Sequence, residues 1–484
     1  MKNDTVLSAL QVKQAEQAWA NQRGGETWPL MVCASESFVR HFFPSIYQQG
    51  KHSPLPKITI VVGCGNNGGD GYYIGKLLLD AGVNVSLIAP FGAPKAGIDA
   101  ERAAQCFRDA GGRVLSELPE TLDDNSEHVA IDALFGSGLS STLSSQCIHW
   151  VQQINSQFAT IYSVDVPSGL DADTGQAMPV AVNASATRSF IAWKPGLLTG
   201  DGPAYCGQLT LDNLGITSTG DWKRNSAVVL PNRFGNTYKS KYGEVSVVGG
   251  HQNMAGAALI ATQAALNAGA GRVYIHCDPR YFAASVSHRP EIMLLDHIDL
   301  HDSQSVWVIG PGLGRDLNAT QVLKPFVYPD HHSTTWRGVL DADALRYIAK
   351  VANFNATNWV LTPHEGEAAD LLDWSIDCVQ QDRAAAALAL SLKYQTVVVL
   401  KGAGTLVCKG KKLIFCHVGS PAMATAGMGD CLAGIIGALM AQGLSAFDAA
   451  VAGVNWHASL GFALAKTQRV VLASDIVAKL KNKV

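Results

Sequence analysis

Short apolar runs separated by glycine turns and amphipathic stretches dominate the chain. In the first half they are KITIVV, NVSLIAP, VAIDALFG, TIYSVDV, RSFIAW and GQLTLDNLGI. Such runs predict buried strands, and the amphipathic stretches between them predict helices. Because strands that alternate with helices form parallel sheets covered on both faces, the pattern predicts an α/β fold.

A polar, turn-rich segment over residues 218–243 interrupts this pattern, which restarts with EVSVVGG. The second half continues with AGAALIATQAALNAGAG, RVYIHC, SVWVIGPGLG, RGVLDADAL, NWVLTPHEGE, TVVVLKGAGT and CLAGIIGALMAQG. We therefore expect two α/β domains, residues 1–218 and 219–484. Residues 1–56 are expected to form helices that wrap the first domain, since LSALQVKQAEQAW has helical periodicity.

Composition narrows the classes of function. The chain has 37 Lys and Arg against 40 Asp and Glu, and only 16% of its residues are charged. A usual protein has about 25%, so no basic face for nucleic acid is predicted. No pair of the 10 cysteines has C-x-x-C spacing. No apolar run reaches the roughly 18 residues of a membrane span, and no signal peptide is visible. We expect a cytoplasmic protein without membrane partners.

The segment GCGNNGGDG, residues 63–71, follows the first strand and matches G-x-G-x-x-G. This motif places a phosphate at a helix N-terminus. A dinucleotide site also expects an acid about 20 residues later, but the second strand ends at Ala89 and Pro90. A standard nicotinamide dehydrogenase is therefore disfavoured. A glycine turn alone would not explain both Asn66 and Asn67.

Two further strands end in an aspartate followed by a glycine and serine loop. Asp132 precedes Gly136-Ser137-Gly138, and Asp165 precedes Pro167-Ser168-Gly169. Either aspartate alone would be a common turn former. Because ligands bind outside the carboxyl ends of parallel strands, we expect both loops beside the glycine turn.

Together, NNGGDG, D-x-L-F-G-S-G and D-x-P-S-G-L resemble the NAD(P)H-hydrate epimerase family, whose domain is Rossmann-like with three layers. The resemblance implies that Asp165 acts at the reacting ring. It implies substrate contacts from Asn66, Asn67, Gly68, Gly69, Asp70, Gly136, Ser137, Gly138, Leu139, Ser140, Ser141, Thr142 and Asp165. It also implies a K⁺ ion held by Asn67, Asp132 and Ser168. Oxygen ligands suit such a hard cation.

In the second half, Lys401-Gly402-Ala403-Gly404-Thr405 follows a buried strand, and AGMGD opens a helix. Free N–H groups at a helix start can hold a transferring phosphoryl group. The pair of motifs resembles the ribokinase-like α/β fold, which implies Asp430 as catalytic base. The same likeness assigns the nucleotide to Lys401, Gly402, Ala403, Gly404, Thr405, Gly427 and Gly429. Met428 departs from the Thr or Ala that is commoner between those glycines.

Further segments, NMAGAA, GPGLG, VLDADAL and LTPHEGE, resemble the ADP-dependent NAD(P)H-hydrate dehydratase family. The resemblance implies substrate contacts from Ala257, Gly314, His364 and Asp430. It also implies Mg²⁺ on the phosphates of ADP. Ala368 interrupts H-E-x-x-H, so no zinc site is predicted.

The two resemblances imply one chain with two activities on hydrated nicotinamide nucleotides, NADHX and NADPHX. An isomerase would interconvert the R and S hydrates, and a lyase would dehydrate the S form while ADP becomes AMP and phosphate. One alternative is a ribokinase-like kinase of a small alcohol fused to a non-catalytic dinucleotide-binding domain. A homo-oligomer is expected. The choice of ADP over ATP, and of NADHX over NADPHX, stays open.

Overall fold

The computed structural model describes residues 4–44, 57–118, 128–139, 142–225, 230–233, 235–251, 253–298, 305–328, 336–351, 354 and 356–482. The chain divides into two compact units, Met1–Gly220 (unit 1) and Asp221–Val484 (unit 2). Both units are α/β with largely parallel sheets, which confirms the predicted fold class. In the part of the chain covered by these ranges, no helix is long and apolar enough to cross a membrane.

Unit 1 is built on one parallel sheet. Its strands are β1 (Lys57–Val62), β2 (Val85–Ile88), β3 (Val114–Leu115), β4 (His128–Ala133), β5 (Thr160–Val164), β6 (Ala186–Phe190) and β7 (Gln208–Asp212). They lie in the order β3-β2-β1-β4-β5-β6-β7, and every neighbouring pair is parallel. The chain order reverses between β1 and β4. Open parallel sheets bind ligands at such a switch point.

Helices cover both faces of this sheet. They are α1 (Ala9–Asn21), α2 (Trp28–Phe42), α3 (Asn66–Asp80), α4 (Asp99–Asp109), α5 (Ser145–Gln157) and α6 (Gly202–Tyr205). Alternate residues of β1 point to opposite faces, as strand geometry requires. Ile60 packs in a core with side chains of α1 to α4, whereas Val61 packs in a second core with α5. The result is the predicted arrangement of three layers.

The N-terminal segment of unit 1 is fixed to a loop far along the chain. Val6 forms a parallel bridge with Trp193, and the two flanking backbone hydrogen bonds measure 2.9 and 3.1 Å. The Ala9 amide donates to Asp173 Oδ1 at 2.7 Å. Helix α1 then begins with a capping box between Ser8 and Gln11. These contacts place α1 over the carboxyl ends of the strands.

Unit 2 contains a larger sheet. Its strands are β8 (Trp222–Arg224), β9 (Glu244–Val248), β10 (Arg272–His276), β11 (Met293–Leu294), β12 (Val306–Ile309), β13 (Arg337–Leu340), β14 (Trp359–Leu361), β15 (Val397–Leu400), β16 (Thr405–Lys409) and β17 (Lys412–Cys416). The order is β11-β10-β9-β12-β13-β14-β15-β16-β17-β8. Strand β16 runs antiparallel to both neighbours, and β8 pairs in parallel with β17. Strand β8 lies in the polar segment for which the sequence predicts no element.

The helices of unit 2 are α7 (Ala255–Asn267), α8 (Pro279–His288), α9 (Leu317–Val327), α10 (Asp343–Ile348), α11 (Glu365–Leu372), α12 (Ile376–Gln381), α13 (Arg383–Tyr394), α14 (Met428–Ala441), α15 (Ala446–Ala465) and α16 (Ala473–Leu480). Helix α7, rich in small residues, packs on α14 within the chain. A Cβ on Gly434 would lie 2.1 Å from the Ala261 carbonyl oxygen, so the two helices approach closely because that position is glycine.

Candidate active sites

A cavity of about 550 Å³ lies where β1, β4 and β5 end in unit 1. Cys64 to Asn67 contribute the glycine turn, and Asp70 lies one turn further along α3. Gly136, Ser137, Gly138 and Leu139 line the cavity from the loop after β4, and Asp165 lines it from the end of β5. The sheet therefore brings together motifs that lie up to a hundred residues apart.

Asp165 is held by an unusual backbone and by a buried lysine. Its φ of 66° lies in the left-handed region, which non-glycine residues rarely adopt. The Lys194 ammonium bonds the Asp165 carboxylate, and it also donates to Ser189 Oγ at 3.1 Å and to the Phe190 carbonyl at 2.8 Å. The Phe190 amide donates to Asp165 Oδ1 at 3.3 Å. A positive charge thus lies directly behind the carboxylate that faces the cavity.

Three more carboxyl groups line the same cavity, those of Asp70, Glu16 and Asp99. Burial raises the pKa of Asp70 well above its ordinary value, and the negative charges of Asp165 and Glu16 raise it further. Burial and Asp165 also raise the pKa of Glu16. Among the residues that the structure describes, none donates a hydrogen bond to the Asp70 carboxyl. The cavity therefore pairs a lysine-bound carboxylate with a carboxyl group that favours its protonated form.

The residues predicted to hold K⁺ are adjacent at the sheet edge. Asp132 is fully buried, and it accepts from Ser168 Oγ at 2.5 Å, the Ser168 amide at 2.8 Å and Ser163 Oγ at 2.9 Å. The Asn67 side chain reaches the loop after β4, since a Cβ on Gly136 would lie 2.9 Å from Asn67 Oδ1. The amide nitrogen Nδ2 of Asn67 is buried and has no partner among the described residues.

The remaining predicted residues of unit 1 fall into three groups. Gly68 and Gly69 are buried and do not line the cavity, because they let α3 approach the Gly63 carbonyl and Ala100. Thr142 also lies outside the lining. Ser140 and Ser141 lie outside the described residues. Sequence reasoning missed Glu16 and Lys194, for which no motif was visible.

In unit 2, the predicted residues follow the carboxyl ends of neighbouring parallel strands. Gly314 lies in the loop after β12, His364 caps α11 after β14, and Lys401 follows β15. Asp430 lies in the first turn of α14, which Gly427 opens with a φ of 88°. The first backbone N–H groups of α14 have no partner within the helix, so they are available to an anion.

Lys401 is the centre of a charged cluster. Its ammonium lies 2.7 Å from Asp341 Oδ1 and 3.8 Å from Glu367 Oε2. Burial opposes its charge, but the two carboxylates outweigh burial and raise the pKa of Lys401. A Cβ on Gly429 would lie 3.1 Å from the ammonium, so Lys401 contacts the start of α14. Asp341 and Glu367 were recognised in the sequence only as parts of motifs.

Asp430 lies at the edge of this cluster. Burial raises the pKa of Asp430 to about 6, the negative charge of Asp341 adds to the effect, and the charge of Lys401 partly offsets it. A carboxyl group in this range can accept a proton near neutral pH. The arrangement suits a general base beside a phosphate-binding helix start.

Arg383 supports the loop that was predicted to bind nucleotide. Its side chain is 2% exposed, pairs with Glu365, and donates to the Lys401 carbonyl at 3.0 Å. Gly402 lies against the guanidinium with a φ of 138°, where a Cβ would come within 2.7 Å. The Thr405 hydroxyl closes the loop by donating to the Gly402 carbonyl at 3.1 Å.

The predicted substrate residues of unit 2 line the loops around this cluster. A Cβ on Gly312 would lie 3.1 Å from Ala257 Cβ, so Ala257 borders the glycine loop. The Gly314 amide donates to Asp343 Oδ2 at 3.0 Å. His364 accepts from the amides of Gly366 and Glu367 through Nδ1, which explains why its side chain is held half-exposed at the helix start.

Comparison with known proteins identifies both units. A family model described as NAD(P)H-hydrate dehydratase matches residues 245–482, and one described as YjeF-related protein N-terminus matches residues 29–196. The bifunctional NAD(P)H-hydrate repair enzyme of Vibrio cholerae is 38% identical over 98% of this chain and 96% of its own. That of Escherichia coli is 35% identical over 99% and 93%.

A solved structure also resembles part of this chain. The ADP/ATP-dependent NAD(P)H-hydrate dehydratase of Bacillus subtilis, crystallised with ATP and Mg²⁺, is 25% identical. It covers 52% of this chain and 93% of its own, with a TM-score of 0.46.

Proposed function

The chain belongs to the family of bifunctional NAD(P)H-hydrate repair enzymes, and we propose how its two units divide the repair. Unit 1 interconverts the R and S hydrates, and unit 2 dehydrates the S hydrate with consumption of ADP. The observation that carries this proposal is an aspartate under the influence of a lysine in each unit: the Lys194 ammonium bonds the Asp165 carboxylate, and the charge of Lys401 lowers the pKa of Asp430.

In unit 1, the substrate carries a hydroxyl group on C6 beside the ring nitrogen. Asp70 donates its proton to this hydroxyl, the C6–O bond breaks, and water leaves with the bonding electrons. The nitrogen lone pair stabilises the cation. Water then adds to the opposite face of C6 while Asp165 accepts its proton, which yields the other epimer. The reverse reaction exchanges the roles of the two carboxyl groups.

A potassium ion fits the edge of this cavity. Asn67, Asp132 and Ser168 supply amide, carboxylate and hydroxyl groups, the oxygen donors that hard cations prefer. Within the described part of the chain, Nδ2 of the buried Asn67 amide has no partner, and the two orientations of this amide are alternatives of one side chain. When bound, the ion would supply a fixed positive charge for oxygen atoms of the substrate.

In unit 2, Asp430 accepts the proton of the C6 hydroxyl as that oxygen attacks the terminal phosphate of ADP. The bond from phosphorus to the bridging oxygen breaks, and AMP leaves. Gly427 and Gly429 N–H groups hold the charge that develops on the phosphoryl oxygens. The ring nitrogen then expels phosphate from C6, and loss of a C5 proton regenerates NAD(P)H.

The loop of Lys401, Gly402, Ala403, Gly404 and Thr405 would border the nucleotide. Mg²⁺ would supply positive charge on its phosphates. The contact of His364 with Glu367, a member of the charged cluster, supports the assignment of His364 to the hydrate, and Ala257 and Gly314 are assigned to it with the glycine loop after β12. We further propose that the protein lies in the cytoplasm. We also propose that it forms a homo-oligomer, and light scattering on the purified chain would test this assembly.

One experiment tests both activities. A mixed R and S preparation of NADHX receives enzyme, excess ADP, Mg²⁺ and K⁺, and the near-ultraviolet absorbance of NADH is followed against a control without enzyme. Recovery of nearly all NADH is expected. Recovery that stops at the S fraction would leave the dehydratase and reject the epimerase.

A matched reaction with ATP decides the nucleotide. Faster recovery with ATP than with ADP would contradict the choice of ADP. No recovery with either nucleotide, together with a stable phosphorylated product from another alcohol, would reject the repair activity in favour of a small-molecule kinase.

A further inference from the structure

The cavity of unit 1 extends beyond the glycine turn to the loop that follows β2. Phe91 and Lys95, both from this loop, line the cavity together with Cys64 and Asn66. The Lys95 amide donates to the Cys64 carbonyl at 3.1 Å, and the Cys64 thiol contacts the Phe91 carbonyl at 3.3 Å. Two contacts thus fix the loop against the turn that begins α3.

Lys95 brings a charge to this end of the cavity that nothing in the described chain neutralises. Its side chain is exposed, and no ion pair joins it to a described acidic residue. The two acidic side chains nearest to it in sequence have other partners. Asp99, which also lines the cavity, accepts from the Thr27 hydroxyl, and Glu101 accepts from the Gly97 amide at 2.9 Å, so neither forms an ion pair with Lys95. An unpaired ammonium that lines a cavity favours an anionic ligand.

The position in the sheet indicates which part of the substrate reaches Lys95. In a sheet of this order, a dinucleotide places its pyrophosphate at the first helix after β1 and its adenosine ribose at the end of β2. The reacting ring then lies toward Asp165, at the end of β5. A carboxylate after β2 binds a free ribose 2′-hydroxyl, whereas a cation there accommodates a 2′-phosphate.

We propose that Lys95 binds the 2′-phosphate of NADPHX and makes unit 1 prefer NADPHX to NADHX as substrate. Phe91 lies beside Lys95 in the cavity and stacks on Phe135, with ring centroids 5.9 Å apart and planes inclined by 27°. Phe91 offers a flat apolar surface for the adenine base of either substrate. This inference rests on the proposed epimerase activity, to which it adds a specificity-determining residue.

The test compares the two substrates in the full-length chain. Epimerisation of purified R-NADPHX and R-NADHX is followed by chromatographic separation of the epimers, without nucleotide. The variants are Lys95→Met, Lys95→Arg and the control Lys76→Met. Lys76 is a lysine of α3 that pairs with Asp80 at 2.5 Å and does not line the cavity.

The Lys95→Met substitution is expected to lower kcat/KM for NADPHX about tenfold, mainly through KM, because one charge-assisted hydrogen bond to phosphate is lost. The value for NADHX is expected to change less than about twofold. Lys95→Arg keeps the charge and should retain most of the preference. In competition, adenosine 2′,5′-bisphosphate should inhibit the wild-type chain more strongly than AMP, and Lys95→Met should remove that difference.

Three outcomes would overturn the inference. Equal losses for both substrates would assign Lys95 to the pyrophosphate that they share. Unchanged kinetics would show that Lys95 contacts neither the 2′-phosphate nor the pyrophosphate. A wild-type chain that epimerises neither substrate would overturn the proposed function of unit 1, and this failure is visible before any variant is made. An unchanged thermal unfolding curve of each variant shows that unit 1 is folded.

Discussion

The Lys194 ammonium is bonded to the Asp165 carboxylate, and the lysine is the more deeply buried partner of this pair. The Lys194 side chain is 1% exposed, whereas the Asp165 side chain is 14% exposed. An ammonium so placed is stable only when its donors are satisfied, and here Ser189 and the Phe190 carbonyl complete the set. The side of the Asp165 carboxylate that is not bonded to Lys194 faces the cavity.

Replacing Asp165 should lower both catalysis and stability, and a second substitution should restore only the stability. Asp165→Asn is expected to lower epimerisation at least about 100-fold, because the general base is lost, and to leave the dehydratase unchanged. It also leaves Lys194 buried without a counter-charge, which should cost about 3 kcal/mol of stability in unit 1. The double variant Asp165→Asn/Lys194→Met should regain stability without activity. Recovery of activity in the double variant would contradict the role of Asp165.

Asp70 should control the alkaline limb of the pH–rate profile of epimerisation. Its pKa lies well above the ordinary value, so the group is protonated and can donate up to that raised pKa, and the rate should fall as the pH rises beyond it. Asp70→Asn is expected to lower kcat about 100-fold or more with little change in KM, and to abolish the alkaline limb. Asp80→Asn, at the far end of α3, is the control. An alkaline limb that persists in Asp70→Asn belongs to another group.

Lys401 should set the position of the acidic limb in the pH–rate profile of dehydration. Its positive charge lowers the pKa of Asp430 from the higher value that burial and Asp341 would impose. Lys401→Met is therefore expected to move the acidic limb of kcat upward by about one pH unit, whereas Lys401→Arg should keep it in place. Rate profiles at saturating ADP measure the shift. A rise in KM for ADP with an unchanged profile would assign Lys401 to nucleotide binding alone.

Asp430 is expected to reduce the stability of unit 2. Its pKa is about 6 in the folded chain against an ordinary 3.8, so the folded state binds more protons than the unfolded state between these values. Stability therefore falls as the pH rises through this window. At pH 8, Asp430→Asn should raise the free energy of unfolding by roughly 2 kcal/mol while abolishing dehydration. Denaturant unfolding at pH 8 and near pH 4 tests this, because the gain should vanish at the lower pH.

The sequence predicts the site residues at the carboxyl ends of the strands better than it predicts the other side chains of the two sites. Asn67, Asp132 and Asp165 follow apolar strands, and parallel strands bring their carboxyl ends together, so their proximity could be predicted. Lys194 could not be found this way. It lies in the segment AWKPG, which matches no motif. Its ammonium reaches Asp165 only because of the path that the chain takes after β6.

Three other features depend on contacts that no local pattern encodes. Glu16 lies on α1, whose periodicity predicts a helix but not the surface on which it docks. Strand β8 is a three-residue segment, WKR, that is extended because it pairs with the edge of β17. The ion pair of Lys401 with Asp341 joins loops after β15 and β13, so it requires the strand order.

The bridge between Val6 and Trp193 has a consequence for the order of events during synthesis. Residues 5–16 leave the ribosome before their partners in the loop at Trp193, which are made almost two hundred residues later. At roughly 5–20 residues per second, the N-terminal segment waits about 10–40 s for its place. The bridge that fixes the segment before α1, the helix that supplies Glu16 to the cavity, can therefore form only after β6 has been made. The cavity of unit 1 is thus bordered by a segment that is made well before the loop that holds it in place.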